Sequence, residues 1–164
     1  MNSGKIVVSM LLLVALLTGV AVWYLQVYAF YDPVDEPWNE LTGAQEIVLT
    51  DASGAEHPVA ITDFRAIDAS SSPIRYRACF EIDPALAATA QPYEGATPLN
   101  GPNWFHCYSA RALTADLESG AATAYLGQAE VRPDVDRVIA VYPDGRAFAW
   151  HQLNDKTPER GVMD

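Results

Sequence analysis

The chain opens with one long apolar run and continues with short segments in which apolar and polar residues alternate. The first run covers residues 6–31 and contains no Asp, Glu, Lys or Arg. A helix rises about 1.5 Å per residue, so roughly 20 residues cross a hydrocarbon core of about 30 Å. Aromatic residues concentrate at the end of the run, where a membrane helix meets the lipid headgroups. The pattern predicts a transmembrane helix over residues 6–31.

An alternative is a signal peptide that is removed after Val27-Tyr28-Ala29, which resembles a cleavage site. The apolar core of a signal peptide usually has about 7–15 residues, so the length of this run favours a retained anchor. Lys5 precedes the run and Asp32 and Asp35 follow it. Because positive charge stays on the cytoplasmic side, we expect a single-pass inner-membrane protein with residues 1–5 in the cytoplasm and the C-terminal part in the periplasm.

Small residues recur on one side of the predicted membrane helix. Ala15 and Gly19 are four residues apart, and Trp23 continues the same face. Small residues at this spacing let a second helix approach closely, although Ala and Gly are also common in membrane helices generally. We predict that Ala15, Gly19 and Trp23 form a helix-packing face.

The remaining chain divides into a linker and one domain. Residues 32–43 are rich in Pro and acidic residues and show little periodicity, which predicts an acidic linker. Residues 44–164 carry mostly strand patterns, and the segments expected to form strands are residues 46–50, 59–67, 74–82, 137–142 and 146–153. The last two are joined by Pro143-Asp144-Gly145, a strong turn signal.

Helical patterns are fewer. Residues 109–118 predict a helix that Ser109 caps and Gly120 ends, with Leu113 and Leu117 on one face. Residues 84–90 predict a short helix, and residues 122–126 fit either a strand or an extension of the helical region. The predicted fold class is α+β: an N-terminal transmembrane helix followed by a small antiparallel-sheet domain with one or two helices.

Composition narrows the function classes. The 164 residues carry a formal net charge of −11, which argues against nucleic-acid binding because phosphate repels an acidic protein. Acidic charge can steer a basic soluble protein, such as a c-type cytochrome, towards the domain. The same charge can equally serve only to keep the domain soluble and away from anionic lipid.

Chemical motifs are sparse. Cys79 and Cys107 predict a structural disulfide outside the cytoplasm, and free buried thiols or a redox or metal-binding pair are the alternatives. His57, His106 and His151 are far apart in sequence and have no metal-ligand spacing. The chain lacks nucleophile-elbow and phosphate-loop motifs, so we expect no catalytic residue, no metal and no cofactor.

Two functions from different classes remain. The first is a non-catalytic accessory or assembly subunit of an inner-membrane complex, with a respiratory complex preferred as the host. The second is a periplasmic ligand-binding or sensor module that works with another membrane protein and has a pocket lined by aromatic residues. For either function, the candidate contact residues are Trp104, Tyr108, Tyr142 and Trp150.

Several stretches resemble a known family. They are residues 24–31 (YLQVYAFY), 71–80 (SSPIRYRACF), 98–107 (PLNGPNWFHC), 136–146 and 148–152. Together they resemble a domain-of-unknown-function family of small membrane-anchored proteins in alphaproteobacteria. The resemblance covers most of the chain and implies no activity, substrate or catalytic residue.

Overall fold

The first element of the fold is a long helix that stands apart from the domain. The structure is a computed structural model that describes residues 3–34 and 47–154. Helix α1 (Ser3–Tyr24) has no buried residue and continues into a π-helical turn (Leu25–Ala29). The whole span, here called the stem helix (Ser3–Ala29), is long and apolar enough to cross a membrane by length and composition. The predicted N-terminal apolar helix is therefore confirmed.

The domain that follows is built mainly of antiparallel strands. The strands are β1 (Asp32–Val34), β2 (Val48–Thr50), β3 (Glu56–Pro58), β4 (Ile61–Asp68), β5 (Arg77–Ile82), β6 (Thr123–Arg132), β7 (Val135–Val141) and β8 (Arg146–Leu153). A six-stranded sheet has the order β1-β4-β5-β8-β7-β6, and β2 and β3 form a separate pair. A short 3-10 helix (Pro84–Thr89) and helix α2 (Ala110–Ser119) complete the domain. The α+β class predicted from the sequence is confirmed.

The start of the predicted linker belongs to the sheet instead. Strand β1 pairs with the end of β4, with Asp32 opposite Asp68 and Val34 opposite Ala66. Val34 is buried, because its side chain joins the core on one face of the sheet. The first sheet strand therefore begins three residues after the stem helix ends. The rest of the predicted linker, residues 35–43, lies outside the described residues.

Both faces of the sheet are covered, which separates the core into two clusters. Tyr76, Ala78 and Phe80 pack with residues of β2 on one face. Phe148 and Trp150 pack with Leu113 and Leu117 of α2 on the other face. Successive residues of β5, β7 and β8 alternate between the two clusters, because side chains of a strand point to opposite faces. The central strands therefore have no solvent-exposed face.

Local signals place α2 and the last hairpin as expected. The Ser109 side chain accepts a hydrogen bond from Ala112 N, and Gly120 adopts a left-handed conformation (φ 75°) at the end of α2. Strands β7 and β8 pair directly across the turn at residues 143–145. Residues 122–126, left open between strand and helix, fall mainly in β6.

Candidate functional site

The stem helix ends in aromatic side chains that contact one another. The ring of Tyr28 lies edge-on to that of Trp23, with centroids 5.6 Å apart, and stacks on that of Tyr24 at 5.8 Å. Tyr28 lies in the π-helical turn, whereas Trp23 and Tyr24 lie in the last turn of α1. The end of the stem is thus a broad aromatic surface.

One side chain of the domain caps the end of the stem helix. The indole N–H of Trp104 donates a hydrogen bond of 2.7 Å to the carbonyl oxygen of Val27. The Trp104 ring stacks on Tyr28 at 6.3 Å and meets the edge of Tyr31 at 6.2 Å. A helix leaves its last carbonyl groups without intrahelical partners, and such groups are costly where water is scarce. Trp104 therefore satisfies a stem carbonyl and attaches the domain to the stem.

The segment that carries Trp104 is held at its beginning by one arginine. We name residues 99–107 the clamp loop. The Arg77 guanidinium donates to the carbonyl oxygens of Leu99 (2.7 Å) and Asn100 (3.0 Å), and also to those of Ile74 and Tyr76. Arg77 is only 3 % exposed, and its burial lowers the pKa of the guanidinium. The carbonyl oxygens supply the hydrogen bonds that the buried cation would otherwise make with water.

The other end of the clamp loop is held by the same strand. The sulfur atoms of Cys79 and Cys107 lie at disulfide distance, and their Cα atoms are 6.3 Å apart. Cys79 and Arg77 are two residues apart on β5 and therefore face the same side of the sheet. One strand thus fixes both ends of the loop whose Trp104 contacts the stem.

Arg75 adds a second attachment at the junction. Its guanidinium carbon lies 5.6 Å from the ring centroid of Phe30 and 5.4 Å from that of Tyr31, a cation–π arrangement. Strand β1 begins at the next residue, Asp32, and pairs at once with β4. The junction therefore joins stem and domain through a helix cap, a cation–π contact and a strand pair.

A buried polar cluster lies at the same end of the sheet. His151 stacks on Tyr76, and its Nε2 accepts a hydrogen bond from Arg137 Nε (3.1 Å) while its Nδ1 lies 2.8 Å from Pro73 O. Burial, with Arg137 nearby, lowers the pKa of His151 to about 3. Burial also raises the pKa of Asp68 to about 6, against the pull of nearby arginines. The buried cluster therefore stabilises the neutral form of the His151 imidazole.

Comparison with known families decides the affiliation. Residues 47–160 match a family of unknown function, DUF6446. The chain belongs to this family. Comparisons with curated proteins and with solved structures find no match. The DUF6446 range contains Arg77, both cysteines and the whole clamp loop, whereas the stem helix precedes it.

Three of the four predicted contact residues lie in the core of the DUF6446 domain. Trp150 is fully buried, and Tyr108 and Tyr142 are 7 % and 6 % exposed, so these three side chains lie in the packed interior, and their role in partner or ligand contact stays a prediction. They are buried because α2 and the clamp loop cover this face of the sheet. Tyr142 donates to Asp116 Oδ2 at 2.6 Å, and burial raises the pKa of Tyr142 to about 12. Trp104 is the one of the four that is partly exposed.

The histidines do not share a site. His57 is exposed and lies 2.7 Å from Asp51 Oδ2, whereas His151 is buried at the junction end of the sheet. His106 lies in the clamp loop beside Cys107. Across residues 3–34 and 47–154, no group of three His, Cys, Asp or Glu side chains could hold a metal ion.

The predicted packing face of the stem helix is a shallow groove. Its volume is about 330 Å³, and it is lined by Ala15, Leu16, Gly19, Val20 and Trp23. In the described part of the chain no domain residue covers α1, which is exposed throughout. The structure therefore brings the three predicted residues to one surface and leaves that surface open.

Proposed function

We propose that this DUF6446 protein is a non-catalytic, membrane-anchored accessory or assembly subunit of an inner-membrane complex, and a respiratory complex is the host that we favour. The observation that carries the proposal is the attachment of Trp104 to Val27 and Tyr28. A flexible tether would only keep a domain near a membrane. A capped and stacked junction holds the domain at one height and angle above the bilayer, which a subunit that presents a fixed surface requires.

We further propose that the stem helix spans the inner membrane once. We also propose that the protein belongs to the small membrane-anchored proteins of alphaproteobacteria. Lys5 on the amino side and acidic residues beyond the stem support a cytoplasmic N-terminus and a periplasmic domain. A cysteine pair at disulfide distance suits that oxidising compartment. Alkaline phosphatase fused after Asp164 should be active and a fused green fluorescent protein dark. The reverse pattern would contradict the proposed orientation.

The proposed partner in the membrane is a helix of an integral-membrane protein, and it occupies the groove at Ala15 and Gly19. Small residues remove side-chain bulk, so two helix backbones can approach closely and gain van der Waals contact that lipid does not offer. Trp23 closes the groove at the aromatic end of the stem, which leaves the apolar part of the groove for the partner helix.

A co-purification experiment tests this role. The full chain, tagged after Asp164, is purified from its own membranes in mild detergent together with its partner. Gly19→Leu fills the groove and should abolish recovery of the integral-membrane partner. Ala21→Leu is the matched control, because residue 21 lies about 200° around the helix from residue 19 at about 100° per residue. The proposal fails if the wild-type chain is recovered alone, or if both variants behave alike.

A second candidate function rests on a separate observation. A cavity of about 420 Å³ opens beside the Cys79–Cys107 pair, a size that suits a small ligand or a peptide segment. A periplasmic ligand-binding or sensor module would use this cavity together with another membrane protein. Native mass spectrometry of the purified chain would then show a bound small molecule, whereas an accessory subunit would show none and would keep its protein partner.

A further inference from the structure

The Cys79–Cys107 pair forms part of the wall of a cavity. The cavity of about 420 Å³ lies on the face of the sheet that α2 covers, and the lining residues that matter here are Arg65, Cys79, His106, Cys107, Arg146 and Phe148. Cys79 is 4 % exposed, while Cys107 is half-buried. Cys107 is therefore the more exposed of the two cysteines that line the cavity.

The register of the sheet places a cation beside the less exposed sulfur. Arg65 on β4 lies directly opposite Cys79 on β5, and both line the cavity. Directly opposite residues in an antiparallel pair have Cβ atoms about 4.5–5.5 Å apart, which is within reach of a guanidinium. A neighbouring cation stabilises a thiolate and makes that sulfur a better leaving group in thiol–disulfide exchange.

The same strand pair is irregular just before Arg65. The pairing of β4 with β5 shifts between Thr62 and Arg65, and Asp63 in between has a φ of 51°. A β-bulge of this kind redirects the side chains that follow it. Arg65 consequently sits on the cavity side, in register with the cysteine, as an exposed residue.

We propose that this cavity is a docking site for a dithiol that opens the Cys79–Cys107 disulfide. A thiolate of the dithiol attacks Cys107 Sγ and forms a mixed disulfide, while the Sγ–Sγ bond breaks and its electron pair leaves with Cys79 Sγ, which takes a proton. The second thiol of the dithiol then attacks the dithiol sulfur that is bonded to Cys107 Sγ. The mixed disulfide breaks, and Cys107 leaves as a thiol. Two electrons and two protons pass to the cysteines, and the dithiol becomes a disulfide.

Opening the pair would loosen the junction between domain and stem. The disulfide holds the carboxyl end of the clamp loop to β5, and Trp104 lies three residues before Cys107. Without that bond, the Arg77 hydrogen bonds still hold the loop to the strand, but at its opposite end. The exchange therefore releases the segment that caps Val27, whatever complex the stem belongs to.

The test measures how fast the disulfide opens in the folded, full-length protein in detergent. Dithiothreitol and reduced thioredoxin, a Cys-x-x-Cys protein, serve as probes, and thiol alkylation with mass spectrometry follows the reaction. Arg65→Gln should slow the opening several-fold, while Arg65→Lys, which keeps the charge, should stay near the wild-type rate. Arg111→Gln is the matched control, because it removes the same charge from an exposed position outside the cavity.

The outcomes separate the proposal from its alternatives. Opening by both probes assigns a protein dithiol, and opening by dithiothreitol alone assigns a small one. Chymotrypsin should then cleave the clamp loop faster after reduction, as it should in a Cys79→Ser/Cys107→Ser variant. The proposal is overturned if neither probe opens the pair without denaturant, if Arg65→Gln and Arg111→Gln open equally fast, or if reduction leaves the cleavage of the loop unchanged.

Discussion

His151 makes the stability of the domain depend on pH in a predictable direction. Burial lowers its pKa to about 3 in the folded chain, whereas in the unfolded chain it titrates near 6.5. The unfolded state therefore binds the proton more tightly, so the contribution of His151 is complete above pH 6.5 and is lost as the pH falls towards 3. For one proton the loss amounts to about 1.4 kcal/mol per pH unit.

Asp68 opposes this loss over part of the range. Burial raises its pKa from 3.8 to about 6, so the folded state holds the Asp68 proton more tightly between those values and loses stability as the pH rises through them. We predict that the free energy of unfolding falls more steeply between pH 6 and pH 4 in Asp68→Asn than in the wild type. Near-ultraviolet circular dichroism during denaturant titration measures this, and parallel pH profiles would contradict it. His151→Gln is the control, because its free energy of unfolding should decrease less than that of the wild type as the pH is lowered.

Gly127 is a position where the sheet leaves no room for a side chain. A Cβ there would lie 2.9 Å from Ile139 Cδ1 and 3.1 Å from the carbonyl oxygen of Arg137. Gly127→Ala should therefore lower the free energy of unfolding by about 1–3 kcal/mol, the usual cost of overpacking. Gly101→Ala is the matched control, since its nearest neighbour would be at an ordinary 3.6 Å. Equal thermal midpoints of the two variants would contradict the prediction.

At the level of elements, the clamp loop holds the domain to the stem helix, in addition to linking parts of the domain in sequence. Trp104→Phe keeps an aromatic ring against Tyr28 but removes the N–H that caps Val27. A hydrogen bond to an otherwise unsatisfied carbonyl contributes about 1–3 kcal/mol, so the clamp loop should detach more often. We predict faster hydrogen exchange within residues 99–107 and at the end of the stem.

The control for this variant keeps the rest of the junction. Trp23→Phe changes an aromatic residue of the stem that contacts Tyr28 but, in the described chain, makes no hydrogen bond to the domain. Hydrogen exchange of the clamp loop should be unchanged in it. If Trp104→Phe exchanged no faster than Trp23→Phe, the cap would contribute nothing to the junction.

Elements with local signals could be predicted, and those defined by distant contacts could not. Helix α2 carries its own cap and stop, Ser109 and Gly120, and the last hairpin carries its own turn. Strand β3 (Glu56–Pro58) was not predicted, because its residues are polar and exposed and make no apolar pattern. The contact of Trp104 with Val27 joins residues 77 positions apart, and no local pattern signals it.

Sheet faces show the same limit. Apolar and polar residues alternate over residues 74–82, and this alternation separates Tyr76, Ala78 and Phe80 from Arg77 and Cys79. The structure buries both sets, because the clamp loop supplies carbonyl oxygens for Arg77 and a sulfur for Cys79. Alternation predicts which residues share a face, but what covers that face depends on distant segments.

For the whole molecule, the distribution of charge favours a basic partner. The chain has 10 basic and 21 acidic residues. Arg77 and Arg137 are 3 % and 1 % exposed and are used inside the junction end of the domain, so they present no guanidinium to a partner. Asp68 and Asp136 are buried as well, at 6 % and 7 % exposed, so burial removes as many acidic as basic groups from the described surface. The acidic excess of the composition therefore remains, and it should attract a basic soluble protein through its long-range field.

This field gives a prediction about association rate. We expect a basic c-type cytochrome to associate with the full-length protein at a rate that falls about tenfold or more between 10 and 150 mM ionic strength, because the Debye length shrinks from about 30 Å to about 8 Å. Stopped-flow mixing with detergent-solubilised protein measures the rate. The same cytochrome with its lysines succinylated is the matched control and should associate slowly at every salt concentration. If the association rate did not change with ionic strength, the acidic surface would serve only to keep the domain soluble.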